Sequence, residues 1–384
     1  MSLVTESGPD NVVVIKVMGI GGAGNNAVNR MVEVGTQGVE FIAVNTDKPA
    51  LAKSAASQRI QIGEKLTQGQ GAGSDPEKGK RAAEESRNNL AKTLEATDMV
   101  FVAAGMGGGT GTGASPIVAD IAREAGILTV AVVTKPFNFE GSRRMSQAED
   151  GIKNLLGKVD SLFVIPNENL KNVSDQKVTL KNAFAIADDV LTQAVTSISE
   201  LIKNTDYINL DFADITTIMK DAGYAHMGVG RAAGKGKAEE AARIAIQSDL
   251  METSISGARG IIINVTGSLS LELEDVEAAA ILVQKAAHPD ANIIFGAGYD
   301  EEMDDEIRVT VIATRFDDKP QTGQKQTQRS GLFSDAVTRA SESPASSDAA
   351  ETPAAPVDVS PPPAPPAPPE EDPFDTIFKI FNSK

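Results

Sequence analysis

Two glycine-rich segments lie in the N-terminal part of the chain, each between an apolar run and a stretch of helical periodicity. The first reads GIGGAG from Gly19 to Gly24, and the second reads GMGGGTGTG from Gly105 to Gly113. Glycine lets a bound group approach the backbone closely, and the free N–H groups at a helix N-terminus attract an anion. The two segments therefore predict an α/β fold that binds phosphate at two strand-to-helix loops.

Apolar runs of strand length alternate with helix-like stretches up to about Asn167. These runs are VVVIKVMG, FIAVNTD, MVFVAAG, LTVAVVT and SLFVIPN. Because parallel strands are joined by crossover helices, the alternation indicates a Rossmann-like parallel sheet with helices on both faces. We expect this nucleotide-binding domain to span residues 12–177, after a flexible N-terminus at 1–11.

The first loop alone fits the GxGxxG pattern of dinucleotide-binding proteins, and Asp47 follows the next strand, where a ribose-binding acid would lie. An NAD(P)-dependent dehydrogenase is therefore one interpretation. The second loop favours a triphosphate, since a second set of N–H groups and the hydroxyls of Thr110 and Thr112 would hold the β- and γ-phosphates. No GK[ST] sequence ends that loop, which excludes a Walker-type P-loop.

Composition excludes several other classes of protein. The formal net charge of -17 would repel a nucleic-acid backbone, and the absence of cysteine excludes a disulfide framework. With only two histidines, His226 and His288, neither a His-rich metal site nor a Ser/His/Asp hydrolase is favoured. No apolar run approaches the roughly 20 residues that a membrane-spanning helix needs. We expect a cytoplasmic protein with no nucleic-acid partner and no direct membrane insertion.

The remaining sequence divides into four segments of different composition and periodicity. Apolar residues at three- and four-residue spacing predict one long amphipathic helix over residues 178–203, buried between domains. Strand-like runs around another helix predict a second α/β domain over residues 204–316. Residues 317–370, rich in Pro, Ala and Ser, predict a disordered linker. Residues 371–384 predict a short helix whose apolar face docks on a partner.

Several motifs together carry a family resemblance. They are GGAGNN at 21–26, NTD at 45–47, GMGGGTGTGA at 105–114, PFNFEG at 136–141 and NLDFAD at 209–214. From about residue 12 to residue 316 the sequence resembles the FtsZ family, the bacterial tubulin-like cell-division GTPases. The resemblance implies a protein that binds and hydrolyses GTP and polymerises head-to-tail into dynamic filaments. It also implies that these filaments form the contractile ring at the mid-cell division site.

The resemblance also implies which residues bind the nucleotide. The first loop would contact the α- and β-phosphates, Gly107 to Gly113 of the second loop would also contact the phosphates, and the GAG at 71–73 would cap the γ-phosphate. Here the Ser74-Asp75-Pro76 continuation departs from the family pattern. Phe184 would stack on the purine, and Asp188, rather than Asp189, would accept hydrogen bonds from guanine. The full set is Gly21, Gly22, Ala23, Gly24, Asn25, Asn26, Asp47, Gly71, Ala72, Gly73, Gly107, Gly108, Gly109, Thr110, Gly111, Thr112, Gly113, Glu140, Arg144, Asn167, Phe184 and Asp188.

Hydrolysis needs a group that orients a water in line with the γ-phosphate, and the glycine loops offer none. By the resemblance, Asp211 and Asp214 polarise that water in the nucleotide pocket of the next subunit, and Asn209 helps to shape the contact. Either carboxylate can also cap the helix that follows. A tubulin-like scaffold that binds GTP without turnover is the third interpretation.

Ions and partners follow from the same resemblance and from the chemistry. Mg²⁺ is expected to bridge the β- and γ-phosphates, with no protein ligand assigned, and K⁺ is a further candidate ion. Residues 371–384 would bind membrane-tethering and regulatory division proteins.

Overall fold

The computed structural model describes residues 13–173, 178–179, 182–203, 208, 210–248, 255–269, 271–300 and 303–316, without the side chains of 172 and 173. The expectations for the N-terminal segment 1–11, for Asn209, for the linker 317–370 and for the terminal peptide 371–384 lie outside these residues.

The first part of the fold is a parallel sheet with helical crossovers. Its strands are β1 (Ile15–Ile20), β2 (Val39–Asn45), β3 (Gln58–Gln61), β4 (Met99–Gly105), β5 (Leu128–Lys135) and β6 (Ser161–Pro166). Its helices are α1 (Gly21–Val34), α2 (Lys48–Ala52), α3 (Glu64–Thr67), α4 (Pro76–Glu85), α5 (Arg87–Thr93), α6 (Thr110–Glu124), α7 (Ser142–Leu156) and α8 (Leu170–Val173). Every residue of β1 is buried, as expected for a parallel strand covered on both faces.

The second part continues the same sheet. It comprises α9 (Ala183–Lys203), α10 (Phe212–Met219), β7 (Gly223–Ala233), α11 (Lys237–Ile246), β8 (Ala258–Gly267), α12 (Leu273–Ala286), β9 (Asn292–Tyr299) and β10 (Glu306–Phe316). The strand order is β3-β2-β1-β4-β5-β6-β7-β10-β8-β9. β10 is antiparallel to both of its neighbours, and the other strand pairs are parallel.

This mixed α/β architecture confirms the predicted fold class. β6 and β7 pair where Ser161 lies opposite Gly223, so the sheet is continuous across the boundary expected near residue 204. The division into two domains therefore stays a prediction.

Helix α9 connects opposite ends of the parallel strands. Its first turns lie beside the loops that follow β4, β5 and β6, where Phe184 and Asp188 line a cavity. At its other end, the Lys203 ammonium donates a hydrogen bond to the backbone oxygen of Val13, just before β1 begins. The helix has 21 residues, which corresponds to a length of about 30 Å. It therefore spans the sheet from the carboxyl ends of the strands to their amino ends.

The crossover helices pack against the loops at glycines where no side chain would fit. A Cβ atom on Gly24 would lie 2.2 Å from the backbone oxygen of Ala103. A Cβ atom on Gly113 would lie 1.9 Å from the backbone oxygen of Pro76. These contacts hold the N-terminus of α1 against β4 and the N-terminus of α6 against α4. The glycines thus fix the positions of both loops.

Candidate nucleotide site

A cavity of about 230 Å³ lies at the carboxyl ends of β1, β4, β5 and β6. Ligands of open α/β sheets bind at this end of the strands. A larger cavity, of about 370 Å³, lies behind the glycine loops among α4, α6 and α7. We place the nucleotide in the smaller one because two helix N-termini meet there. It is lined by Ile20, Gly22, Ala23, Gly105, Met106, Gly108, Gly109, Thr110, Gly111, Thr134, Pro136, Glu140, Arg144, Asn167, Phe184, Ala187 and Asp188.

The two glycine loops supply free N–H groups to this cavity. Gly21 and Gly107 have φ values of +74° and +93°, in the left-handed region that glycine tolerates, and each turns the chain from its strand into the helix. The backbone N–H groups from Gly108 to Gly111 donate no hydrogen bond to any described residue. A Cβ atom on Gly22 or Gly108 would meet nothing within 4 Å. Open space before unpaired N–H groups at two helix N-termini fits a polyphosphate.

The loop expected to cap the γ-phosphate lies against the second glycine loop, although it does not line the cavity. The N–H of Gly71 donates to the backbone oxygen of Thr46 at 3.2 Å. A Cβ atom on Gly109 would lie 2.8 Å from the Cβ of Ala72, so the two loops touch. Where the sequence departs from the family pattern, Asp75 accepts a hydrogen bond from the N–H of Glu77 and caps α4.

Two residues that the sequence assigned to the nucleotide, Thr112 and Asp47, do not line the cavity. The Oγ1 of Thr112 is buried and accepts a hydrogen bond from the N–H of Gly107 at 2.9 Å, so Thr112 braces the second loop from behind. The carboxylate of Asp47 accepts from the N–H of Ala50 at 2.8 Å and caps α2. The ribose role that the first loop indicated for Asp47 is not supported by this position.

Asn25 also lies behind the cavity wall. With its amide nitrogen turned toward them, its two N–H hydrogens are shared among the backbone oxygens of Gly19, Gly21 and Val44, which lie at 2.8, 2.9 and 3.2 Å. These bonds join the first loop to β2. The remaining residues of the predicted set that do not line the cavity are Gly21, Gly24, Asn26, Gly73, Gly107 and Gly113.

The first turns of α9 form the end of the cavity where the base is expected. Phe184 is 46% exposed, and its ring meets Phe137 edge to face with 5.7 Å between the ring centroids, so part of its surface is accessible to a ligand. Asp188 lines the cavity, whereas Asp189 turns away and pairs with Arg30 at 2.6 Å. Of these two neighbouring acids, Asp188 is therefore the one placed to meet a ligand, and its role as the base acceptor stays a prediction.

The Asp188 carboxyl lies in an unfavourable environment for a charge. Burial raises the pKa of Asp188 to about 7, and the negative charge of Asp189 adds to this increase. A carboxylate held without hydrogen-bond donors is destabilised, and a ligand that offers donors relieves this cost. The N1–H and N2–H groups of guanine would offer such a pair.

Polar groups suited to a ribose lie on the adjoining wall. Glu140 accepts from the N–H of Phe137 at 2.8 Å and pairs with Arg144 at 2.9 Å. Asn167 is buried, and its Oδ1 has no hydrogen-bond partner among the described residues. Buried acceptors are seldom left unpaired, so Asn167 calls for a donor such as a sugar hydroxyl.

Asp211 and Asp214 lie away from this cavity and form a reciprocal helix cap. Asp211 accepts from the N–H of Asp214 at 2.7 Å, and Asp214 lies 3.4 Å from the N–H of Asp211. This is the capping-box arrangement at the start of α10. The helix that they begin, α10, ends at the amino end of β6, where the Ser161 hydroxyl donates to the backbone oxygen of Met219 at 2.6 Å, whereas the cavity lies at the carboxyl end of that strand. Within one subunit, the pair and the cavity are thus separate.

Several cavity residues are absent from the set named from the sequence, although three of them lie within the two glycine-rich segments. They are Ile20, Gly105, Met106, Thr134, Pro136 and Ala187. Thr134 is near the end of β5 and Pro136 follows it, so the shared edge of parallel strands was a signal that could have found them.

The described part of the chain offers neither a metal cluster nor a membrane span. No group of three or more His, Cys, Asp or Glu side chains among these residues is placed to hold a metal ion. Within the same residues, no helix is both long and apolar enough to cross a bilayer.

A mostly parallel sheet with two glycine-rich loops and no Walker lysine fits the tubulin class of GTPases, and residues 14–175 match the GTPase domain of the Tubulin/FtsZ family. Residues 223–317 match the C-terminal domain of the FtsZ family. FtsZ from M. jannaschii, solved as an empty dimer, is 42% identical with a TM-score of 0.75, covering 79% of this chain and 88% of its own. The chain belongs to the FtsZ family.

A second structure, a mutant of M. jannaschii FtsZ, gives the same identity and TM-score over 79% of this chain and 91% of its own. CetZ2 from Haloferax volcanii, a GTPγS-bound protofilament, is 19% identical with a TM-score of 0.67, covering 80% of this chain and 95% of its own. The CetZ2 likeness shows the fold alone. Membership of the GTPase family identifies the ligand as a guanine nucleotide and the reaction as GTP hydrolysis.

Proposed function

We propose that this protein polymerises head-to-tail and that the neighbouring subunit completes its GTPase site. The observation that carries the proposal is the separation of the Asp211–Asp214 pair from the cavity, since neither acid lines it and their helix ends at the opposite end of β6. Glu140 and Asp188 are the acids that line the cavity, and we assign them to the ribose and to the base. A water attacking the γ-phosphate would then need a carboxylate from another molecule.

Exposed apolar side chains support such a contact. Phe139, stacked on Phe137 near the cavity, is 61% exposed. Leu269 and Leu273 are each 73% exposed, on the segment that follows β8. Ile208, which precedes the acidic pair in the sequence, forms an isolated antiparallel β-bridge with Ala297 of β9. A contact between unlike surfaces of identical subunits does not close on itself and extends into a filament.

Self-assembly of a relative points in the same direction. M. jannaschii FtsZ was solved as a dimer. In our proposal, assembly triggers hydrolysis, hydrolysis weakens the interface, and the dynamic filaments form the contractile ring at the mid-cell division site in the cytoplasm. Mg²⁺ would be held mainly by phosphate oxygens and water, with K⁺ as a second ion.

Substitution of the acidic pair by asparagine separates helix capping from catalysis. Asparagine is as good an N-cap as aspartate, so Asp211→Asn should leave the unfolding free energy within about 0.5 kcal/mol of wild type. Phosphate release by Asp211→Asn and Asp214→Asn should nevertheless fall at least tenfold, because a carboxylate that polarises water is lost. Asp221→Asn, which removes a surface charge paired with Arg123, is the matched control.

The measurement is phosphate release per subunit against protein concentration, with light scattering to follow assembly. Wild type should show a steep rise in turnover per subunit, and subunits with both substitutions should bind GTP and inhibit wild type on mixing. Turnover independent of concentration would contradict assembly activation, and no turnover in assembled filaments would favour a non-hydrolysing scaffold. Retention of NADH in place of GTP would favour a dehydrogenase.

We further propose that residues 371–384 bind a membrane-tethering adaptor and regulatory division proteins. Phe374, Ile377, Phe378 and Phe381 share helical spacing. Phe378→Ala or deletion of residues 372–384 should abolish adaptor binding in a pull-down with membrane fractions and leave GTP hydrolysis unchanged. Loss of hydrolysis in these variants would contradict a purely tethering role.

A further inference from the structure

Thr46 is a buried hydroxyl that connects the loops around the cavity. It follows β2 directly, has no exposed surface, and is absent from the set of nucleotide-binding residues expected from the sequence. Its Oγ1 lies 2.7 Å from the Oγ1 of Thr110, which lines the cavity at the first position of α6. Among the described residues, Thr110 is the hydrogen-bond partner of the Thr46 hydroxyl.

The direction of this hydrogen bond follows from the surroundings of the two hydroxyls. A buried O–H donor without an acceptor costs free energy, so the Thr46 hydroxyl must donate to its partner Thr110. Thr110 then accepts, and its own hydrogen must point elsewhere. Because Thr110 borders the cavity beside the free N–H of Gly109, that hydrogen is available to an anion there.

The backbone of Thr46 is held as firmly as its side chain. Its N–H donates to Oδ1 of Asn45 at 2.9 Å. Its carbonyl oxygen accepts from the N–H of Gly71 at 3.2 Å and from the hydroxyl of Thr67 at 3.3 Å. A β-branched side chain on a fixed backbone has few rotamers, so its hydroxyl keeps one position. Thr46 therefore links the Gly71–Gly73 loop to the second glycine loop.

We propose that Thr46 is a positioning residue that directs the Thr110 O–H toward a phosphate oxygen of the bound nucleotide. The inference rests on the proposed function in one respect, namely that the guanine nucleotide occupies this cavity with its outer phosphates at the second loop. Thr46 does not touch the nucleotide and acts through Thr110. The same residue carries the Gly71 contact, so loss of the hydroxyl alone leaves that backbone bond in place.

The test is a double-mutant cycle with Thr46→Val and Thr110→Val. Valine keeps the shape of threonine and removes the hydroxyl, and Thr46→Ser is the rescue variant because it restores the donor. Affinities for GTP and GMP are measured by titration calorimetry, KM and kcat by phosphate release, and folding by urea unfolding without nucleotide. GMP lacks the outer phosphates, so a general disturbance of the site weakens GMP binding whereas loss of the oriented O–H does not.

We expect Thr46→Val to weaken GTP binding about 3- to 30-fold, the range for part of one charge-assisted hydrogen bond, with GMP affinity unchanged. Thr46→Ser should stay within about threefold of wild type. In the Thr110→Val background, Thr46→Val should add less than a twofold effect, since there is no hydroxyl left to direct. Additive effects, or an equal loss of GMP and GTP affinity, would overturn the inference. Failure of wild type to bind GTP at all would instead overturn the nucleotide assignment.

Discussion

Replacing Asp188 by asparagine should stabilise the nucleotide-free protein and weaken its binding of GTP. The carboxyl pKa is raised from 3.8 to about 7 by burial and by Asp189, so the folded state disfavours the ionised form. A difference of this size corresponds to about 4 kcal/mol above pH 7. Because the side chain is partly exposed and water screens it, we expect about 2 kcal/mol in practice. The asparagine side chain carries no charge and escapes this cost.

The sign of the pH dependence follows from the raised pKa. Neutral Asp188 stabilises the fold fully below the unfolded pKa of 3.8, and this contribution is lost as pH rises through about 7. Asp188→Asn should therefore melt about 3–6 °C above wild type at pH 8, and the difference should shrink toward pH 5. The assay is thermal unfolding without nucleotide from pH 5 to pH 8.

Added GTP should narrow the difference in melting temperature between the two proteins. Wild type offers a carboxylate to the guanine N–H pair, and loss of hydrogen bonds to a charged group costs about 1.5–3 kcal/mol, or roughly 10- to 150-fold in affinity. GTP should consequently raise the melting temperature of wild type more than that of Asp188→Asn. The control, Asp189→Asn, removes the adjacent charge and should move the pH dependence of wild type to lower pH. Equal melting of wild type and Asp188→Asn at pH 8, or a gap that does not narrow on acidification, would refute the reasoning.

Two further predictions concern the fold around the loops. Gly113→Ala places a Cβ 1.9 Å from a backbone oxygen, so we expect it to lower the unfolding free energy by at least about 3 kcal/mol. Gly108→Ala is the control, because its Cβ meets open space and the variant should fold normally. Urea unfolding compares the two variants. The Lys16 ammonium donates to the backbone oxygens of Thr93 and Glu95 at 2.8 and 3.1 Å, so Lys16→Met should lower the unfolding free energy by about 1–3 kcal/mol in the same assay. Stability of Lys16→Met equal to wild type would show that water replaces the lost donor.

The strands that were predicted well are those whose burial leaves a strong apolar signal. MVFVAAG coincides with β4, and the runs around β1, β2, β5 and β6 lie within a few residues of the observed strands. β3 and β7 were not predicted. β3 is an edge strand of sequence QRIQ with one buried apolar residue, and β7 is rich in glycine and alanine, which are poor strand formers.

Apolar periodicity predicted the long helix but not the residue at which it begins. Apolar spacing predicted a helix from residue 178, whereas α9 begins at Ala183. Residues 178 and 179 are not helical, and a helix boundary depends on capping contacts that spacing does not encode.

For the site, the sequence located the glycine loops but could not show which of their side chains face the cavity and which pack behind the loop. Thr110 and Thr112 are equivalent in the pattern GTGTG, yet Thr110 lines the cavity and Thr112 braces the loop. The difference arises because successive helical residues point about 100° apart, which depends on where α6 begins. The bond between Thr46 and Thr110 joins residues 64 positions apart and leaves no local signal.

Both ends of α9 are held by contacts, which fixes the length and the rotation of this helix. Asp188 lines the cavity and Lys203 contacts the backbone just before β1, so the number of residues between them sets both the distance and the angle. One inserted residue would shift the far end by about 1.5 Å and rotate it by about 100°. Seven inserted residues would nearly restore the angle but lengthen the helix by about 10 Å. An insertion in this helix therefore misplaces one of its two ends, either by rotation or by distance, whereas an insertion in a surface loop does not.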